Sequence, residues 1–192
     1  MTNDLKIEPK VDLELRTIIS QYKQSFSDKS YNEENNEIDV LMDLFGITPS
    51  LKRENRQYWG RELGMCWQLL VNKLCQIRCK EYKPALKIES DEPTDLFIGQ
   101  DAIDTKYRIG SGDSGTLKKF KKYGELLKGQ GFTPVLLIVR SDNLPAAITA
   151  CKVGGWEIYI GDACFDYLNR KTKFDLKSYL VDLKSKFLIE RI

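Results

Sequence analysis

Histidine is absent from this 192-residue chain. That excludes Ser-His and Cys-His nucleophilic pairs, histidine-based nuclease motifs and most transition-metal sites. Catalysis is left to carboxylates, lysines and hard cations such as Mg²⁺. Long apolar runs are also missing: the longest, Val135 to Val139, is far too short to span a bilayer. The opening residues, Met1 to Lys6, are charged at once and lack a signal-peptide core. A soluble, cytoplasmic protein is therefore expected. The five cysteines are odd in number, and no histidine can complete a zinc site around Cys75 and Cys79. Buried free thiols are the expectation. Internal repeats and low-complexity tracts are absent.

What is present suits one α/β domain. At 42% apolar, the chain can bury a full core and carry a small appendage. The net charge of +2 says little about partners. Its distribution says more, because the first fifty residues hold ten acidic and five basic side chains, so the remainder is positive. Lys118, Lys119, Lys121, Lys122 and Lys128 cluster in one segment, which reads as a solvated helix face or as a phosphate-contacting surface.

Apolar spacing of three and four predicts helices over 11–26 and 36–45, the second stopped by Gly46 before a turn at Pro49. Residues 1–50 are read as a helical N-terminal segment and 51–192 as the main domain. A long helix over about 54–80 carries Trp59, Leu63, Cys66, Leu70, Leu74 and Ile77 on one stripe. Glu62 falls at the border of that stripe, where a carboxylate is costly unless it is paired, for instance with Arg61 or Arg56, or binds a cation. Strands are expected at 85–89, 95–99, 102–108, 134–140 and 156–160, with helices at 116–129, 145–153, 163–169 and 175–188. Pro145, or Asn143 as a cap, opens the helix at 145.

The most informative stretch runs from Pro93 to Lys106. Gly99-Gln100 reads as a two-residue hairpin loop with glycine first, as a type II′ turn prefers. That loop sets Ile98 opposite Asp101, Phe97 opposite Ala102, Leu96 opposite Ile103 and Asp95 opposite Asp104. Alternation then puts Asp95, Asp104 and Lys106 on one face. Two carboxylates across a ladder repel unless a cation lies between them, so a divalent-metal site is expected here.

Helix, three antiparallel strands, helix and a buried strand, with Asp95 followed by Asp104-Thr105-Lys106, resembles the core of PD-(D/E)XK nucleases, which include most type II restriction endonucleases. The resemblance covers roughly 56–140. Here Thr94 separates Pro93 from Asp95, the gap from Asp95 to Asp104 is short, and Asp91, Glu92 and Asp101 are rivals for the first acid. The resemblance implies an α/β restriction-endonuclease-like core, a mixed central sheet with a three-strand meander flanked by helices. It also implies Mg²⁺ held by Asp95, Asp104 and the Thr105 carbonyl, with Lys106 acting on the attacking water and Glu62 holding a metal-bound water or a second ion.

The expected activity is cleavage of double-stranded DNA by a type II restriction endonuclease, acting as a homodimer on a palindromic site. Another nuclease of the superfamily, for repair, junction resolution or nicking, is the alternative. A non-catalytic nucleic-acid-binding module is the third reading. Lys118, Lys119, Lys122 and Arg108 are candidates for DNA contact. Arg140 could read guanine and Asn143 adenine, although Asn143 suits helix capping better. The glycine-rich loop 109–115 lacks the Gly-Lys-Ser/Thr ending of a nucleotide-binding loop.

Overall fold

The computed structural model describes residues 13, 16–23, 34–87, 91–110, 112–184 and 186–190. The chain forms two compact units, Met1–Glu33 and Glu34–Ile192. In the first, residues 16–23 are helical, and the rest of the helix expected over 11–26 lies outside the described residues, residue 13 apart.

The second unit begins with α1 (Val40–Phe45) and α2 (Pro49–Glu54). Helix α1 starts later than its apolar spacing suggested, because the Asp39 carboxylate accepts the Leu41 and Met42 N–H groups and caps the helix there. Gly46, at φ 68°, ends it. Pro49 opens α2 instead of a simple turn, with the Thr48 hydroxyl capping Leu51 N–H. Leu41, Met42 and Leu44 join the main core, so residues 34–50 fold with the larger unit.

Next come α3 (Arg56–Arg78), β1 (Tyr82–Pro84), β2 (Leu96–Ile98) and β3 (Asp101–Lys106). They are followed by α4 (Ser114–Gly129), β4 (Thr133–Ile138), α5 (Pro145–Val153), β5 (Glu157–Ile160), α6 (Asp162–Thr172) and α7 (Leu176–Asp182). The five strands form one mixed sheet in chain order. Strands β1, β2 and β3 are an antiparallel meander, and β4 and β5 add in parallel. The first strand lies at Tyr82–Pro84 rather than at 85–89: residues 85–87 are irregular, and 88–89 lie outside the described residues. Pro84 lacks a backbone N–H, which suits the end of an edge strand and disfavours pairing beyond it.

The hairpin register is Leu96↔Ile103, Phe97↔Ala102 and Ile98↔Asp101, around Gly99 at φ 60°. The positive φ is what a glycine-first two-residue loop needs. Both faces of the sheet are covered. Along β4, Val135 and Leu137 pack toward α3, α6 and α7, while Leu136 and Ile138 pack toward α4 and α5. Trp67, fully buried on α3, stacks edge-on to Phe165 with ring centroids 5.3 Å apart. On the other side α4 and α5 approach so closely that a Cβ on Gly124 would lie 2.2 Å from the Gly154 carbonyl. The result is a mixed α/β fold of the restriction-endonuclease-like kind. Among the described residues no helix is long and apolar enough to cross a membrane.

Candidate active site

β3 lies at the centre of the sheet, and its last residues form the candidate site. Asp104 and Lys106, two residues apart, share the face turned toward α4 and α5. The Lys106 ammonium sits 2.7 Å from Oδ1 and 2.6 Å from Oδ2 of Asp104, and 3.3 Å from the Thr105 carbonyl oxygen. Three oxygens thus close on one cation. Burial pushes the Asp104 carboxyl up to about 6, and the nearby Asp95 charge adds to this while Lys106 opposes it. Burial works to lower the pKa of Lys106, but the charge and hydrogen bonds of Asp104 outweigh it and leave Lys106 above its ordinary value.

Asp95 precedes β2, outside the paired register, and its N–H donates at 2.8 Å to the carbonyl of Ile103, the residue already paired with Leu96, so the expected pairing of Asp95 with Asp104 is not formed. Its carboxylate does not join the face that alternation suggested. One oxygen accepts from the Thr105 N–H at 2.7 Å and from the Thr105 hydroxyl at 2.5 Å. The other accepts from the Gln68 amide at 2.6 Å. The reason is local. Asp95 lies just outside the strand, so the pleat does not bind its side chain, and turning toward α3 relieves repulsion from Asp104. The separation is incomplete, since each acid's charge is felt at the same lysine.

Gln68 is the residue that sequence reasoning missed. It adjoins Trp67 at the edge of the buried stripe, a signal resembling the one that singled out Glu62. Glu62 itself does not reach the site. At 100° per residue it lies on the opposite flank of the Leu63–Trp67–Val71 stripe from Gln68. It is exposed and bonded to Arg61 at 2.9 Å, as the salt-bridge alternative anticipated. Of the rival acids, Asp101 sits at the far end of β3, accepting from Tyr167 at 2.6 Å and Lys171 at 2.5 Å. Asp91 bonds Tyr123 of α4, and Glu92 is exposed.

Arg140 does not face solvent, so it is not placed to read a base. It is 1% exposed and donates to Glu37 O, Asp39, Asn35 and Asp142. With Lys52 and Arg108 it balances Glu34, Asp39 and Asp142 in one ionic cluster. Lys52 also donates to the Tyr107 hydroxyl at 2.9 Å, and Tyr107 donates to Asp39. Arg108 is largely engaged as well, donating to the Asp142 carbonyl at 3.0 Å. Asn143 neither caps α5 nor projects outward. Its side-chain oxygen accepts Ile109 N–H at 2.8 Å and its amide donates to Arg140 O at 2.6 Å. The physical cause is shared: the loop after β4 is stitched to residues 34–39 and to the end of β3, and that stitching uses up these polar groups. Lys118, Lys119 and Lys122 do lie on the exposed face of α4. Loop residue Asp113 caps that helix through Thr116 N–H at 2.9 Å, while residue 111 lies outside the described residues.

The donor set fits a hard cation. The Asp104 carboxylate and the Thr105 carbonyl already close on a positive charge, the Asp95 carboxylate beside them is bonded to Thr105 and Gln68, and the Thr94 hydroxyl next to Asp95 is buried with no partner among the described residues. Among the described residues no cluster of three or more His, Cys, Asp and Glu side chains forms. A cation here would therefore rely on Asp95, Asp104 and the Thr105 carbonyl.

A five-stranded mixed sheet flanked by helices on both faces is a restriction-endonuclease-like architecture. The family model for ApaLI-like restriction endonucleases matches residues 89–185, about half the chain, from just before β2 through α7. The chain belongs to the ApaLI-like restriction endonuclease family, and so is a nuclease whose substrate is DNA. No curated protein and no solved structure matches it.

Proposed function

We propose that this chain is a Mg²⁺-dependent type II restriction endonuclease of the PD-(D/E)XK kind, acting in the cytoplasm as a homodimer on a specific short site in double-stranded DNA. The observation that carries this reading is the closure of both Asp104 oxygens and the Thr105 carbonyl on the Lys106 ammonium. The chain's own lysine occupies a hard-cation donor set. Asp95, Asp104 and the Thr105 carbonyl would hold Mg²⁺, which supplies Lewis-acid polarisation of a phosphate oxygen and a more acidic water.

The rest falls to the chain. Lys106 would position the attacking water or help take its proton, and would stabilise charge building on the phosphate. Gln68 and Thr105 hold the Asp95 carboxylate in one orientation. Lys118, Lys119 and Lys122 contact the phosphate backbone and give a salt-dependent contribution to binding.

The test is digestion of DNA of known sequence with Mg²⁺. Discrete fragments are expected, with Asp104→Ala and Lys106→Ala each slowing cleavage at least about a hundredfold while DNA binding persists. Full cleavage by either variant overturns the site. A smear, or nicking alone, overturns site-specific cleavage.

A further inference from the structure

A second group of cations gathers where α2 meets α3. Lys52, Arg53, Arg56 and Arg140 line a small pocket there, and Glu34 is the one acid among the described residues that line it. Lys52 and Arg140 form its buried floor, 3% and 1% exposed, while Arg53 and Arg56 are exposed at its rim. The Glu34 carboxylate accepts from Lys52 and lies 3.5 Å from Arg140 Nε. The space left beside it, about 10 Å³, is room for about one water. Charge in the pocket is unbalanced. Burial holds the pKa of Lys52 below its ordinary value, the Glu34 hydrogen bond offsets only part of this, and the Arg140 charge lowers it further. Arg56 also opens α3, so the positive end of a 23-residue helix dipole adds to the same side.

The pocket lies near the chemistry. Lys52 donates to the Tyr107 hydroxyl at 2.9 Å, and Tyr107 directly follows Lys106. Tyr107 packs into the core on the α3 side of the sheet, opposite the face that carries Lys106. The pocket and the candidate site therefore flank the same end of β3. A carboxylate and a phosphodiester offer such a pocket the same thing, one negative charge shared by two oxygens in reach of a guanidinium fork. With space for only one water, a second anion cannot sit beside Glu34 and has to replace it. Glu34 is free to yield. Residues 34–39 form neither helix nor strand, and Asn35 is anchored separately to Asp142 and Arg140, so the Glu34 side chain can swing out while the segment stays in place.

We propose that this pocket grips a backbone phosphate of the DNA, seated where the Glu34 carboxylate sits in the free chain. The inference rests on the reading of duplex DNA as substrate, and adds where its backbone is held apart from the catalytic acids. Arg53 and Arg56 close on the phosphate from the rim, and Lys52 and Arg140 meet it from the floor. Glu34 keeps the buried cations paired until DNA arrives, and so competes with it.

Binding of a labelled duplex to the full chain, followed by fluorescence anisotropy without divalent metal from ~50 to ~200 mM salt, tests this. Replacing both rim residues, Arg53→Ala with Arg56→Ala, should weaken binding about tenfold and lower the slope of log affinity against log salt by about one, with circular dichroism unchanged. Glu34→Gln should tighten binding about threefold or more. Glu37→Gln removes the same charge from the same exposed segment but outside the pocket, and should do much less. A slope that the double variant leaves unchanged, or equal tightening by the two glutamine variants, overturns the proposal. Melting at matched ionic strength separates the sources of phosphate: exchanging chloride for inorganic phosphate should leave the midpoint where it is. A rise of several degrees that the double variant lacks makes this a free-phosphate site and overturns the backbone contact. None of these readings needs cleavage. A chain that passes them but cuts nothing refutes the active site alone, and one that cuts with an unchanged slope refutes this pocket alone.

Discussion

Replacing Arg140 by alanine separates the sequence expectation for this residue from what the fold does with it. Its guanidinium contacts Asp142 at 2.8 and 3.1 Å, Asp39 at 3.1 Å, the Asn35 side chain at 2.6 Å and the Glu37 carbonyl at 2.9 Å. Removing it leaves the carboxylates of Asp39, Asp142 and Glu34 buried with too little positive charge. Breaking a buried ion pair on one side costs about 3–5 kcal/mol. For a unit of this size that lowers the melting temperature by about 10 °C. Arg140→Lys should recover only part of this, because an ammonium cannot span the same fork of acceptors.

Acidity supplies a second reading of the same variant. Burial tends to raise the pKa of Asp142, but hydrogen bonds from Arg140 and the Asn35 N–H, with the charges of Arg140 and Arg108, outweigh it and hold the carboxyl below its usual range. A depressed acid stabilises the fold above its unfolded pKa of about 4 and loses that contribution as the pH falls through the folded value. The deficit of Arg140→Ala should thus be largest near neutrality and shrink as the pH falls below ~4, through the depressed value of Asp142. Thermal and urea unfolding, followed by tryptophan fluorescence across this range, measure it. A variant within about 1 kcal/mol of wild type at pH ~7 refutes the clamp, since surface changes rarely exceed half that. So does one that folds normally but cleaves a different DNA sequence.

Two further outcomes follow from close contacts elsewhere. Gly124→Ala should destabilise by about 1–3 kcal/mol in urea unfolding, since its Cβ would collide with the Gly154 backbone, which cannot rotate away; an unchanged midpoint would show that α4 and α5 can separate freely. Gln68→Ala should leave melting nearly unchanged yet free the Asp95 carboxylate, lowering the apparent Mg²⁺ affinity about tenfold in a cation titration of cleavage. Gln68→Glu, which places a third carboxylate beside Asp95, should shift that titration differently from alanine. Identical curves for the two would mean that Gln68 plays no part in holding Asp95.

How much could be read before the coordinates differs by element, and the reason is whether the information is local. The hairpin from Leu96 to Lys106 was legible because a glycine-first two-residue turn dictates register, and register dictates which residues sit opposite. The same holds for β4, where a short apolar run implies burial on both faces. For α3 apolar spacing predicted the helix but not its facing, because the buried edge is Leu63, Trp67, Val71 and Cys75 while Ile77 of the expected stripe is exposed. Edge strand β1 was displaced because three residues, Tyr82 to Pro84, carry too little pattern of their own; pairing with β2 made the strand.

The sequence by itself determined strands β2 to β5, the helices that cover them and the placing of Asp104 and Lys106 on one face at the end of β3, because these follow from periods of two and 3.6 and from a single turn. Tertiary structure alone decided which polar groups meet. It drew the Asp95 carboxylate toward Gln68, left Glu62 on an outward flank, and consumed Arg140, Arg108 and Asn143 in tying the β4 loop to residues 34–39. Long polar side chains reach several ångströms from their own backbone, so their partners are set by packing across the whole domain and leave no trace in local spacing.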